Sequence, residues 1–282
     1  MILVTGATGT VGRQLILELK TRQAPFRVFA RDPAKARALL GPVDAVAGDL
    51  ARPETFGAAL RGAEAAFLLS PMEPRLVAWE TGLARAAAKA GVKRLVKLSA
   101  LGADPRSPAA ILRWHGQAEE EVRRAGAPFT FLRPGALYQN LLGHADSIRR
   151  GTLALPMGDA RVAMVDARDV AACAAAALCG PARAGQTLTL TGPTALSYRE
   201  VAAIFARVLG RPVSYAAAAP DDARRALDSS GTPPWMTDAL LSLAERLRAG
   251  DSDVAADDVR AASGREPISL ETFALDHRAA FA

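Results

Sequence analysis

Ile2-Leu3-Val4-Thr5-Gly6-Ala7-Thr8-Gly9-Thr10-Val11-Gly12 decides the fold of this 282-residue chain. Ile2–Thr5 is an apolar run that reads as a short buried strand and ends at a glycine. Gly12–Gln23 then carries Leu15, Ile16 and Leu19 at helical spacing. Strand, glycine turn and helix follow in the order that phosphate chemistry needs. Glycines let the backbone approach a pyrophosphate with no Cβ in the way, and the helix N-terminus supplies unpaired N–H groups and a positive dipole end. Gly6, Ala7, Thr8, Gly9, Thr10, Val11 and Gly12 are therefore candidate dinucleotide-binding residues. The spacing is Gly-x-x-Gly-x-x-Gly rather than the Gly-x-Gly-x-x-Gly of many dehydrogenases. No Gly-Lys-Ser/Thr follows, which separates the loop from a P-loop.

Outward from this loop, short apolar runs alternate with helical stretches. Phe26–Ala30, Asp44–Ala47, Ala65–Leu69, Leu95–Leu98 and Phe129–Leu132 read as further strands, and Leu76–Ala90 as one of the helices between them. Six strands alternating with helices imply βαβ units and a parallel sheet covered on both faces. The second half is less regular. Arg161–Val165 and Thr187–Thr191 look like strands. Ser197–Leu209 reads as a helix with Ser197 and Glu200 in a capping box and Gly210 past its end. The expected fold is α/β: a Rossmann-type, doubly wound, mostly parallel sheet with a smaller C-terminal α/β substrate lobe. Residues 1–150 form the nucleotide-binding domain and 151–282 the lobe, with a soft boundary and strands from both halves joining one sheet.

Composition narrows the partners. The net charge is +6, but the arginines are dispersed; Arg123-Arg124, Arg149-Arg150 and Arg224-Arg225 are isolated pairs. No Lys/Arg tract or aromatic–basic motif suggests nucleic acid. Cys173 and Cys179 lie six residues apart on one helical stretch, about 9 Å of rise and too far for a disulfide. They read as small core residues. Three separated histidines suggest no metal site. No apolar run is long enough for a bilayer, and the strand at residue 2 leaves no room for a signal peptide. A soluble cytoplasmic protein with a small-molecule partner is expected, as a monomer or homodimer.

The end of the second strand faces the adenosine ribose in such folds. An acid there bonds the 2′-hydroxyl, whereas an arginine pairs with a 2′-phosphate. Arg31 and Asp32 both follow Phe26–Ala30. Asp32 has another role as N-cap ahead of Pro33, so Arg31 takes the ribose position and the expected cofactor is NADP(H). Arg13 is placed to reinforce the phosphate clamp. Asp49 and the neighbouring amide of Leu50 follow the third strand, where the adenine is contacted; Asp49 also reads as a cap ahead of Pro53. Ser70 and Pro71, after the fourth strand, are expected along the pyrophosphate or ribose path.

Short-chain reductases carry Tyr-x-x-x-Lys on the helix after the fifth strand, the tyrosine giving a proton and the lysine lowering its pKa. Here that helix reads Leu112-Arg113-Trp114-His115-Gly116-Gln117-Ala118-Glu119, without tyrosine or lysine. His115 and Glu119 stand at the same spacing, and Ser99 follows the strand. This pair, the loop, Arg31, Gly91-Val92-Lys93-Arg94 and Phe129-Thr130-Phe131-Leu132-Arg133-Pro134 together resemble the NmrA-like atypical short-chain dehydrogenase/reductases, over nearly the whole chain. That group includes NADPH-dependent quinone reductases, azoreductases and triphenylmethane-dye reductases, and also dinucleotide binders that regulate transcription factors. The resemblance implies that Arg133–Asn140 runs beside the nicotinamide, which brings Pro134, Tyr138 and Asn140 to the cofactor. Tyr138 then stacks on or bonds a ligand, or is plain core. Met72, Trp79, Trp114 and Trp235 are candidate pocket walls.

His115, Glu119, Ser99 and Tyr138 are the candidate catalytic residues, with Glu119 one turn from His115 to orient or charge it. A site without the tyrosine–lysine pair suits acceptors whose reduced forms are delocalised or neutral, because they need positioning more than a strong acid. The expected activity is NADPH-dependent hydride transfer to a quinone, azo or other conjugated electrophile. A non-catalytic dinucleotide sensor and a biosynthetic carbonyl or imine reductase are the alternatives.

Overall fold

The structure is a computed structural model and describes residues 1–181 and 183–282. In the first half β1 (Ile2–Val4), α1 (Thr10–Thr21), β2 (Phe26–Ala30), α2 (Pro33–Leu40), β3 (Ala45–Ala47), α3 (Phe56–Leu60), β4 (Ala65–Leu68), α4 (Leu76–Lys89), β5 (Arg94–Leu98), α5 (Ala110–Ala125) and β6 (Phe129–Pro134) alternate. They are followed by β7 (Ala136–Leu137), α6 (Ala145–Arg149), β8 (Thr152–Leu155), β9 (Arg161–Val165), α7 (Ala167–Cys179), β10 (Gln186–Leu190), β11 (Ala195–Ser197), α8 (Tyr198–Leu209), β12 (Ser214–Ala217), α9 (Pro220–Ser229), α10 (Pro234–Arg248), α11 (Asp258–Ser263), α12 (Leu270–Asp276) and α13 (Arg278–Phe281).

The central sheet has seven strands in the order β10-β6-β5-β4-β1-β2-β3, every pair parallel. Side chains alternate across it with period 2. Ile2, Val4, Phe67 and Val96 point into a core closed by α1 and α7, whereas Leu3, Ala66, Leu68 and Leu95 point into one closed by α3 and α4. The chain runs one way from β1 to β3 and the other way from β4 to β6. The carboxyl ends of β1 and β4 therefore flank the switch point where such sheets bind ligands. Thr5 joins the two ends: its hydroxyl donates toward the carbonyls of Phe67 and Leu69 and accepts from the Leu69 amide at 2.8 Å.

The two halves interleave through α7 and β10. α7 packs directly on α1 on the same face of the sheet, and β10 adds the edge strand beside β6. Elsewhere the second half forms a three-stranded sheet, β11-β9-β7, and a β12-β8 pair. Its core gathers Tyr138, Met164, Phe205, Phe273 and Phe281. α8 opens on the Ser197–Glu200 capping box and ends at Gly210 in the left-handed region (φ 71°). Cys173 is buried, but Cys179 is exposed, against the expectation that both are core. Six residues turn a helix by about 600°, which carries Cys179 off the buried face. Among the described residues no helix is long and apolar enough to cross a membrane, and no cluster of His, Cys, Asp and Glu has metal-binding form.

Candidate active site

The loop after β1 shows why each of its glycines is there. Gly6 has φ 63°, which L side chains rarely adopt. At Gly12, inside α1, a Cβ would collide with the Gly6 carbonyl. Gly9 is different. Its backbone is extended (φ −79°, ψ 178°), it is exposed, and the nearest atom to an added Cβ is the Gly6 oxygen at 3.3 Å. Folding demands glycine at 6 and 12 and tolerates a side chain at 9. α1 begins just after Gly9 with no side-chain cap, so its first-turn N–H groups remain free for an anion. The exposed Arg13 guanidinium folds back and donates to the Thr8 carbonyl at 2.8 Å.

A cleft of about 600 Å³ opens beside this loop. Thr5, Gly6, Ala7 and Thr8 form its floor, Arg31, Asp32 and Lys35 one end, Asp49 and Leu50 a side, and Pro71, Arg75 and Trp79 the far wall. Asp32 caps α2, accepting from the Lys35 amide at 2.9 Å. Arg31 and Lys35 stand exposed around it. Lys35 had not been singled out in the sequence; the signal was a second cation within the first turn of the helix that Asp32 caps. Asp49 accepts from the Ala51 amide at 2.9 Å and so shapes its own turn while lining the cleft. The Arg75 guanidinium lies 4.8 Å from the Trp79 ring centroid. These residues fit a dinucleotide: an uncapped helix start for the pyrophosphate, a position where a Cβ would stand in the approach, and two cations where a 2′-phosphate would lie.

Two buried polar networks stand behind the strand ends. In one, Lys97 on β5 is fully buried and its ammonium lies 3.0 Å from Glu80 Oε2, 3.1 Å from His115 Nδ1 and 3.1 Å from the Leu98 carbonyl. The contact with Glu80 Oε2 is an ion contact without hydrogen-bond direction. Glu80 Oε1 accepts from the Ser70 hydroxyl at 2.9 Å. Burial pushes the Glu80 carboxyl up, and the Lys97 charge pulls it back. In the second network Glu119, 1% exposed, accepts both arms of Arg133 at 2.9 and 2.6 Å, the Ser99 hydroxyl at 2.6 Å and Arg123 at 3.3 Å. The hydrogen bonds to Glu119 raise the Arg133 guanidinium above its ordinary value.

This geometry corrects the expected partnership of His115 and Glu119. They lie one turn apart on α5, but each side chain is taken by a different neighbour, His115 by Lys97 and Glu119 by Arg133 and Ser99. Nor is His115 an ordinary titrating imidazole. Burial, and next the Lys97 charge, hold it well below the usual histidine range, so it is neutral at pH 7. Tyr138 is 1% exposed and its ring packs 5.6 Å from that of Phe273, which makes it core of the lobe rather than a ligand-stacking wall. Burial, reinforced by Asp169 and Asp166, raises its phenol above the ordinary value. Asn140 is exposed; its neighbour Gln139 makes the local bonds, donating to Asp166 at 3.0 Å and accepting from the Ala167 amide at 3.0 Å. Pro134 is buried at the end of β6, and Ser70 is buried against Glu80. Of the candidate pocket walls, Trp79 lines the cleft; Trp114 lines a separate cavity between α4 and α5 and packs on Trp235, 6.1 Å between centroids, where α10 meets α5.

Lys97 and Glu80 had both passed unnoticed, although the sequence carries their signal. A strand covered on both faces buries every position, so a lysine within Leu95-Val96-Lys97-Leu98 must be paired. Glu80 falls on the apolar stripe of α4, between Leu76 and Leu83-Ala84.

A parallel sheet with its switch point at an uncapped, glycine-started helix defines a Rossmann-type dinucleotide-binding protein. Within that class the chain belongs to the NmrA-like family, which it matches over residues 1–250. It is 40% identical over 283 residues to the NAD(P)H azoreductase of Xenophilus azovorans, covering 100% of this chain and 99% of that protein. It is 39% identical over 286 residues to the (4-alkanoyl-5-oxo-2,5-dihydrofuran-3-yl)methyl phosphate reductase of Streptomyces griseus, again with 100% and 99% covered. Among solved structures it resembles the NADPH-dependent quinone oxidoreductase QOR2 of Escherichia coli complexed with NADPH, with a TM-score of 0.89, 27% identity and 99% of each chain covered.

Proposed function

We propose that this protein is an NADPH-dependent reductase of quinones, azo compounds or related conjugated electrophiles. The observation that carries the reading is the cleft, which is lined by the cations Arg31 and Lys35, by Gly6-Ala7-Thr8 of the loop that leads through the exposed Gly9 into the uncapped start of α1, and by Pro71. Gly6–Gly12 and the first turn of α1 hold the pyrophosphate, Arg31 and Lys35 the 2′-phosphate, and Asp49 and Leu50 border the adenine. When bound, the reduced dinucleotide supplies a hydride to the acceptor. Ser99 and His115 stand at the end of β5 and on α5 to position that acceptor. Glu119 fixes Ser99, and Arg133 neutralises Glu119. Residues 1–150 hold the dinucleotide and 151–282 supply the acceptor lobe, with α7 and β10 lent back to the sheet.

The acceptor chemistry follows from the acid strength of the site. His115 is neutral and Tyr138 is core, so neither matches the proton demand of an alkoxide product. A quinone or azo group spreads the incoming charge over its own π system and takes its proton from water, which leaves the residues with positioning and exclusion of solvent. We assign a small-molecule acceptor and a cytoplasmic monomer or homodimer. The test is NADPH oxidation with quinones, azo dyes, simple ketones and imines. Turnover of quinones or azo dyes above ketones supports the reading. Tight NADPH binding with no turnover of any acceptor replaces it with a dinucleotide sensor.

A further inference from the structure

The Lys97 ammonium is among the largest fully buried side chains of the molecule, and binding a dinucleotide does not require it. It reaches three acceptors from three elements: Glu80 on α4, His115 on α5 and the carbonyl of Leu98 on its own strand. A protonated lysine has donors and no acceptor, so the imidazole nitrogen it meets must carry a lone pair. That nitrogen is Nδ1, at 3.1 Å. The proton of a neutral ring then sits on Nε2. Among the described residues Nε2 has no hydrogen-bond partner, and it is not one of the fully buried unpartnered atoms, so it reaches space outside the network.

We propose that Lys97, anchored by Glu80 and Ser70, is the positioning residue that fixes His115 as a neutral imidazole with its proton on Nε2, so that His115 acts on the acceptor as a hydrogen-bond donor and not as an acid. The proposal rests on the reductase reading only for the word acceptor; the tautomer is a property of the chain alone. An imidazolium beside a buried ammonium is disfavoured by like charge and by desolvation. The charged groups around the ring are Lys97 from β5, Glu80 from α4 through Lys97, and Glu119 on α5 itself, which Arg133 of β6 and Arg123 already neutralise. The hydrogen bond made at one ring nitrogen sets which nitrogen of a neutral histidine carries the proton.

Long-range 1H–15N correlation spectra of the 15N-labelled protein without cofactor test this directly. The chain has three histidines, and His144→Gln and His277→Gln assign the other two. The expected pattern for His115 is a single Nε2–H tautomer that persists well below pH 6.5. An Nδ1–H tautomer, or an imidazolium at pH 6.5, overturns the proposal. Lys97→Met is expected to release the tautomer into a mixture. Because it leaves Glu80 buried without a counter-ion, Lys97→Met/Glu80→Gln is made in parallel, removing both charges together. A double variant that folds, by circular dichroism and a cooperative melt, yet keeps the pure Nε2–H tautomer shows that Lys97 does not set it and also overturns the proposal. Failure of the reductase reading is separate: a wild-type protein that turns over no acceptor but shows the Nε2–H tautomer leaves the role of Lys97 intact.

Discussion

Gly9→Val separates what the loop needs for folding from what it needs for a ligand. Valine adopts an extended backbone near φ −79°, ψ 178° without strain. An added Cβ has the Gly6 oxygen at 3.3 Å as its nearest neighbour, a contact that a few tenths of an ångström relieve. The stability loss is therefore that of a poor N-cap, about 1 kcal/mol. Binding loses far more. A branched side chain above the first turn of α1 keeps a pyrophosphate from the free N–H groups, and each charge-assisted hydrogen bond forgone is worth about 1.5–3 kcal/mol. With two lost, the dissociation constant for NADPH should rise by roughly 150-fold or more, as every 1.4 kcal/mol is tenfold. Gly12→Val is the contrast, because its Cβ collides with the Gly6 carbonyl and the loop itself must give way. Urea denaturation gives the stabilities, and fluorescence titration with NADPH gives the affinities. If Gly9→Val folds and binds NADPH within threefold of wild type, the pyrophosphate does not lie on this loop and the assignment of the cleft fails.

The wild type should prefer NADPH over NADH, and Arg31→Ala should remove about 10–100-fold of that preference while leaving NADH affinity unchanged; equal wild-type affinities for the two would refute the ribose-site assignment. Because His115 is neutral and burial with the Lys97 charge keeps it so, kcat/KM should show no histidine limb between pH 6 and 8. His115→Ala should then slow quinone reduction more than cationic-dye reduction, by a factor that stays constant with pH, because only the quinone oxygen accepts a hydrogen bond as it gains charge. A quinone loss that shrinks as pH rises from 6 to 8, in steady-state assays of both classes, would restore the imidazole as an acid. Asp169, on α7, is raised from 3.8 to about 6, first by burial, although it accepts from the Ile268 amide at 2.8 Å. The folded state therefore holds a proton that the unfolded state releases, and stability declines as pH rises from about 4 to about 6. Asp169→Asn keeps the acceptor and removes that penalty. Its stability relative to wild type should grow through the window and level off above it at about 1–3 kcal/mol, by urea denaturation at pH 4.5 and 7.5. A flat difference between the two pH values would falsify the assignment.

The sequence by itself determined the elements whose signals are local. Period-2 and period-3.6 patterns, the glycine turn, Asp32-Pro33 and the Ser197–Glu200 box each act within a few residues, and the strands and helices they mark stand within a residue or two of where they were read. The fold class followed, because an alternation of buried strands and helices has few solutions. The cation at the end of β2 was legible for the same reason: Arg31 follows a strand read from its own pattern, and it lines the cleft there.

Tertiary structure decided everything that depended on which side chains meet across elements. Spacing on α5 put His115 and Glu119 on one face, but a helix face does not say which neighbour each side chain finds. Lys97, 18 residues from His115, and Arg133, 14 residues from Glu119, took them in opposite pairings. Tyr138 looked equally suited to pocket or core until α12 brought Phe273 against it. The same physics explains the oversight at Lys97 and Glu80. Their charges are balanced across 17 residues of chain, and a buried charge is legible only when its partner is in view.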